Sequence, residues 1–209
     1  MNIFTLPIIG KKIFRRRVNS EGGEQTSDTI RKIAKKHKID VGMYTYGSCF
    51  QLGFNVGGSV IIGRYCSFGP NVHYFGANHP MEQSVMSPYF YNDNFGYEVE
   101  DIPRECLNVG NDVWVGYGTV ITSKCHTIGN GAVIGSGTIV TRDIPPYAVV
   151  AGNPGRIIRF RFDKNTISKL EESKWWELDP DDLMQYYEFR KNPIEFSEII
   201  IQKRVKSLE

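Results

Sequence analysis

Val109-Gly-Asn-Asp-Val-Trp-Val-Gly-Tyr-Gly-Thr-Val-Ile121 places an aliphatic residue every sixth position, twice with glycine after it, at Val109-Gly110 and Val115-Gly116. The same step recurs on both sides. Val56-Gly57, Ile62-Gly63 and Phe68-Gly69 precede it, and Ile128-Gly129 and Ile134-Gly135, continued by Val140, follow it. Four residues after these aliphatics stand small or β-branched residues: Cys66, Val72, Val113, Thr119, Cys125, Ala132 and Thr138. A helix would repeat its apolar residues at three and four, and a half-buried strand at two. A period of six predicts a solenoid of short strands and tight turns, with one aliphatic per strand turned inward. The glycine would supply turn conformations that a Cβ obstructs, and the small residue would fit where the coil narrows. Each coil then buries its aliphatic only against its neighbours.

The phase slips by one residue around Ser123-Lys124-Cys125-His126, which reads as a bulge at a corner. A larger break, about Phe75 to Leu107, has no hexads and carries Asn, Asp, Pro and aromatics; long loops inside repeat domains are usually functional. The Pro- and Gly-rich stretch Arg142–Gly155 ends the repeats. Asp163 to Leu178 is predicted as a helix with Ile167, Leu170 and Trp175 near one face, and Asp179-Pro180 as the start of another through about Phe189. Ser27 is predicted to cap a short helix through Lys36, with Ile30, Ile33 and Ala34 inward. The chain thus divides into a basic, partly helical extension (1–40), a repeat domain (41–160) with a loop inserted at about 75–107, and C-terminal helices (161–209) that would cover the last coil.

Lys and Arg number 25 against 23 Asp and Glu, a formal net charge of +2, where a general nucleic-acid binder would show a strong basic excess. The four cysteines, Cys49, Cys66, Cys106 and Cys125, form no CxxC pair and read as reduced thiols. The apolar run Met1–Gly10 precedes the basic cluster Lys11, Lys12, Arg15, Arg16 and Arg17, the reverse of a secretory signal. It is also shorter than the ~20 apolar residues of a membrane span. A cytoplasmic protein is expected. The basic cluster suits a weak contact with anionic lipid, although such runs are more often a solvated flank.

Taken in order, Val41-Gly-Met-Tyr-Thr-Tyr-Gly47, Ile62-Gly-Arg-Tyr-Cys-Ser-Phe-Gly-Pro70, Gly76-Ala-Asn-His-Pro80, Val109–Gly116, Ala151-Gly-Asn-Pro154 and Lys174-Trp-Trp176 resemble one family. It is the hexapeptide-repeat acyltransferases, in the branch of streptogramin and chloramphenicol acetyltransferases and capsular-sugar O-acetyltransferases. The resemblance runs from about Val41 to Leu178. It implies an all-β fold: a left-handed parallel β-helix of triangular section with an inserted loop and a C-terminal helical cap. It also implies a homotrimer with active sites between subunits, acetyl-CoA as co-substrate in the groove between neighbouring helices, and no metal.

An alcohol is a poor nucleophile until its proton is removed, and a histidine side chain, with a typical pKa near ~6.5, can take that proton and return it to the leaving sulfur. The resemblance assigns this role to His79, with direct attack on the thioester; Asn78 flanks it as a candidate to orient the loop or contact the acceptor, with a turn-forming role the alternative. Backbone N–H groups must stabilise the oxyanion, and the Gly116-Tyr117-Gly118 turn is the candidate. By the same resemblance Gly135 and Ser136 approach the pantetheine arm, Thr141 and Arg142 flank the nucleotide end, and Arg156 and Arg159 meet phosphates, a task suited to permanently charged guanidinium groups. Tyr44 and Tyr46 match a segment on the acceptor side, where packing is an equal alternative to stacking on a sugar ring. Trp114 reads as core rather than groove wall; His73 reads as structural, and His37 and His126 as surface.

The acceptor is expected to be a sugar hydroxyl of a capsular or exopolysaccharide or its precursor, since about forty residues precede the repeat domain and depart from compact xenobiotic enzymes. Streptogramin or chloramphenicol acetylation is the alternative. More distant are sugar N-acetylation, a γ-type carbonic anhydrase, which needs three converging histidines, and a non-catalytic scaffold, which would need no histidine loop.

Overall fold

A computed structural model describes residues 8–206; residues 1–7 of the apolar run and the last three of the C-terminal segment lie outside the described part. The chain enters as α1 (Ile8–Ser20) and α2 (Asp28–Lys36). Ser27 caps α2 as expected, its hydroxyl accepting from Ile30 N at 3.3 Å, and Ala34 is buried. Four coils follow. The first is β1 (Ile39–Val41), β2 (Tyr46–Gly47) and β3 (Asn55–Val56); the second β4 (Ser59–Ile62), β5 (Ser67–Phe68) and β6 (His73–Phe75). The third is β7 (Cys106–Val109), β8 (Trp114–Val115) and β9 (Val120–Ile121); the fourth β10 (Thr127–Ile128), β11 (Val133–Ile134) and β12 (Ile139–Val140). β13 (Ala148–Ala151) begins a fifth coil, and β14 (Arg156–Phe160) doubles back antiparallel upon it.

Strands stack in parallel into three faces: β1-β4-β7-β10, then β2-β5-β8-β11-β13, then β3-β6-β9-β12. The chain visits the first, second and third face in turn, a three-sided parallel β-helix. Ile62, Phe68, Val109, Val115, Ile121, Ile128, Ile134 and Val140 all point inward and are buried, as are the small residues Cys66, Val72, Val113, Thr119, Cys125, Ala132 and Thr138. Val56 departs from the pattern: it pairs with Phe75, both face outward, and Phe54 fills the core in its place. Trp114 also departs. It stands on the outer face of β8, 58% exposed, because strand alternation turns its neighbours Val113 and Val115 inward.

Except for Gly57, the repeat glycines do not supply left-handed turns. That conformation falls two residues later, at Tyr65, Asn71, Asp112, Gly118, Gly131 and Gly137, following Gly63, Gly69, Gly110, Gly116, Gly129 and Gly135. The glycines are instead where one coil touches the next. A Cβ on Gly63 would lie 2.7 Å from the Gly110 carbonyl carbon, and one on Gly116 2.6 Å from Ser136 N. Asparagines tie the same corner: Asn111 Oδ1 accepts from Arg64 N at 2.8 Å, and Asn130 Oδ1 from Asn111 N at 2.7 Å.

The molecule is not all-β. Besides α1 and α2, it carries α3 (Lys164–Ser173), α4 (Pro180–Met184) and α5 (Pro193–Lys206). Asp163 caps α3, accepting from Thr166 N at 2.9 Å, and left-handed Lys174 ends it before Trp175, earlier than expected. α4 stops well short of Phe189; Asp179 makes no side-chain cap and pairs with Arg64 at 2.5 Å instead. Sequence reasoning missed α5, although Asn192-Pro193 repeats the start signal. No described helix is long and apolar enough to cross a membrane.

Replacing Gly63 with alanine should lower unfolding free energy by about 1–3 kcal/mol, the usual cost of overpacking, read as a lower urea midpoint. An unchanged midpoint would refute the close-contact role.

Candidate active site

The histidine loop leaves the coil at the corner between the third and first faces, after β6, and Glu105 N closes its neck on Gly76 O at 2.8 Å. Asn78 Nδ2 donates to Ser123 Oγ at 2.8 Å, seating the loop on the bulged turn of the next coil. His79 is exposed, beside an open depression that it lines with Asn78, Met81 and Met86. Its Nδ1 lies 2.9 Å from Met86 O and 2.8 Å from Tyr91 Oη, with the buried Tyr91 ring edge-on at 5.8 Å. A carbonyl oxygen can only accept, so the Met86 contact is a hydrogen bond when Nδ1 carries the proton, the tautomer that leaves the Nε2 lone pair free. Met86 acts through its backbone and Tyr91 sits in no motif, so neither was legible beforehand.

Other candidates occupy different corners of the chain. Thr141 and the exposed Arg142 share the His79 corner, in the turn after β12. Gly116, Tyr117, Gly118, Gly135 and Ser136 lie at the corner between the second and third faces. There two expected oxyanion donors are spent on the fold: Gly116 N donates to Ile134 O at 2.8 Å and Gly118 N to Pro70 O at 3.0 Å. The amides of Tyr117 and Ser136 make none of the described inter-coil bonds. Arg156 and Arg159 are exposed on β14, and their described side-chain bonds go only to the carbonyls of Gly155 and Phe160.

Tyr44 occupies the remaining corner, between the first and second faces. Its ring stacks on Tyr65 at 4.8 Å, with the Arg64 guanidinium 5.1 Å away. Trp175 packs against Tyr65 in turn, at 5.4 Å. The structure therefore brings Tyr44 to the C-terminal helices and not to the His79 of its own chain. Tyr46 is 44% exposed on the outer side of β2, in the same strand register as Ser67 and Trp114. His73 is half-buried and bonds Gly53 O at 2.8 Å, His126 faces Glu105 at 3.5 Å, and His37 is exposed at the end of α2.

Burial pushes the Cys66 and Cys125 thiols up to about 12, and Cys49 higher still. None of the three supplies a thiolate near neutral pH. No group of three or more His, Cys, Asp or Glu among the described residues could hold a metal ion.

No family profile matches the chain. A chloramphenicol acetyltransferase of Agrobacterium fabrum is 34% identical over 171 residues, covering 71% of this chain and 79% of its own. A virginiamycin A acetyltransferase of Staphylococcus aureus is 34% identical over 174 residues, covering 75% and 78%. Among solved structures, a maltose O-acetyltransferase from Clostridium difficile 630 aligns with a TM-score of 0.42 at 27% identity, covering 73% of this chain and 84% of its own.

Asn78→Ala and Ser123→Ala should each destabilise by about 0.5–1.5 kcal/mol and be non-additive in the double variant, since they remove one hydrogen bond. Urea midpoints of the four proteins test this; full additivity would mean that the bond contributes nothing.

Proposed function

The chain belongs to the hexapeptide-repeat acetyltransferases, in the branch of the chloramphenicol, macrolide and virginiamycin enzymes, and is an acetyl-CoA-dependent acetyltransferase; from that premise we propose that it O-acetylates a sugar hydroxyl of a capsular or exopolysaccharide or its precursor. The observation that carries hydroxyl acetylation is the His79 ring, whose Nδ1 is held by the Met86 carbonyl so that Nε2 is the basic nitrogen. Nε2 takes the hydroxyl proton as the acceptor oxygen bonds the acetyl carbonyl carbon. It returns that proton to sulfur as the carbon–sulfur bond breaks. The buried, protonated cysteines favour direct transfer without an acyl-enzyme.

His79 and the Gly116–Ser136 corner lie at opposite edges of the third face, and that separation supports a site completed between two protomers of a homotrimer of left-handed β-helices. In that arrangement the Tyr117 and Ser136 amides would receive the oxyanion. Gly135 would line the pantetheine path, Thr141 and Arg142 would flank the nucleotide end, and Arg156 and Arg159 would meet the CoA phosphates. Asn78 and Tyr46 would contact the acceptor. A cytoplasmic location fits the use of acetyl-CoA.

A second reading, a streptogramin or chloramphenicol acceptor, is favoured by Met81 and Met86, which give the depression beside His79 an apolar rim, 71% and 53% exposed. An acceptor screen separates the two: oligosaccharides and nucleotide sugars against chloramphenicol and streptogramin A, with CoA thiol release as the readout. Turnover confined to the antibiotics would overturn the sugar assignment. With the acceptor found, His79→Ala should lower kcat by about 10²–10⁴-fold. Tyr91→Phe, which leaves the buried ring and removes the hydroxyl at Nδ1, should lower kcat severalfold with KM for acetyl-CoA unchanged. Full activity in the His79 variant would remove the general base from this mechanism.

A further inference from the structure

The basic cluster of the N-terminal extension is helical, and α1 has two unlike sides. Val18 is buried and Phe14 half-buried against the following turn and α2. Ile13 points the other way, 62% exposed, with Arg16 and Arg17 three and four residues on, on its own face. The helix Ile8–Ser20 contains five cations and no acidic residue. Arg17 pairs with Glu21 at 3.1 Å, and no described salt bridge involves Lys11, Lys12, Arg15 or Arg16. Lys11 and Arg15, and Lys12 and Arg16, are like charges four residues apart, an arrangement that weakens a helix standing alone in water. No feature of the acetyl-transfer mechanism uses this surface.

We infer that α1 is a peripheral membrane-docking element that lays the side bearing Lys12, Ile13, Arg16 and Arg17 on an anionic phospholipid surface and inserts Ile13 at the headgroup boundary, with Lys11 and Arg15 adding to the local positive field. An anionic surface relieves the repulsion along the helix and releases counterions, and clusters of four to eight Lys or Arg on a helix suit it. A buried apolar side chain adds the second contribution that an interfacial helix needs. A purely electrostatic partner, such as an acidic polysaccharide, would have no use for Ile13. Docking would hold the active site of the full chain beside a lipid surface, whichever acceptor it acetylates.

The test is co-sedimentation of the full-length protein with vesicles of phosphatidylglycerol and phosphatidylcholine in a ratio of one to three, against vesicles of phosphatidylcholine alone. Binding is expected to the anionic vesicles only and to fall as salt is raised. Lys11→Gln, Lys12→Gln, Arg15→Gln and Arg16→Gln combined should weaken it at least tenfold. Ile13→Ser should weaken it severalfold with the charge unchanged. Arg16→Glu alone gives an independent reading if the fourfold variant does not fold, with thermal denaturation reporting the fold of each. Absence of binding to anionic vesicles, equal binding to both kinds, or an Ile13→Ser protein that binds as wild type while heparin competes would each overturn the inference, the last in favour of an acidic polymer.

Discussion

Strands in neighbouring coils must lie about 4.8 Å apart to share hydrogen bonds, and at the repeat corners that spacing leaves no room for a side chain between one coil and the next. Glycine at Gly63, Gly69, Gly110, Gly116 and Gly129 satisfies this limit, because any Cβ there would sit within 3 Å of backbone atoms in the following coil. The hexad is therefore a rule about contact between coils. The turn itself is made two residues later, and there larger residues are tolerated: Tyr44, Tyr65 and Tyr147 all adopt positive φ. Their rings are compensated by the partners they reach, Tyr65 packing on Trp175 and donating from its hydroxyl to Leu178 O at 2.7 Å, and Tyr147 packing on Phe162.

This stacked tyrosine corner explains what the helices do. α3 and the turn after it lie against it, and Asn130 in the corner ladder donates to Glu171 of α3 at 3.1 Å. α5 then packs on α3, and its Arg204 reaches Glu177 at 2.6 Å. The helical segment covers a defined corner through particular aromatic and asparagine contacts, and it is as much a part of the fold as the coils it closes.

The coil was legible in the sequence because its rule is local and repeated. Each inward aliphatic from Ile62 to Val140 could be placed by counting. Counting failed where an element obeys a different constraint. Val56 sits in a first coil interrupted by the 3₁₀ turn Ser48–Phe50, which puts Phe54 inside. Trp114 reads as core by size, yet strand alternation turns it outward. Helix lengths failed because Lys174 turns left-handed and ends α3, and because α4 gives way after Met184 to the 3₁₀ turn Tyr187–Lys191. In the candidate site, His79 could be found through its resemblance to a motif. The carbonyl of Met86 and the hydroxyl of Tyr91 could not, since a backbone oxygen has no sequence signature and a lone tyrosine in a loop has no spacing to count.

The division of labour between coil and loop follows from the same physics. Most amides at the corners are consumed by the ladder: Gly116 and Gly118 donate to carbonyls of the coils on either side. A coil so tightly satisfied is a rigid rail with few free donors; Tyr117 and Ser136, whose amides make none of the described inter-coil bonds, are exposed residues at that corner. It has little means of presenting a side-chain base over its own surface, because outward residues stand upright from flat faces. A loop anchored at its neck by Gly76 and Glu105 and seated on Ser123 can do so. Within that loop, two groups meeting one nitrogen of His79 restrict the ring. The imidazole of His79 is held by the loop's own contacts, and the coil supplies the platform on which the loop is seated.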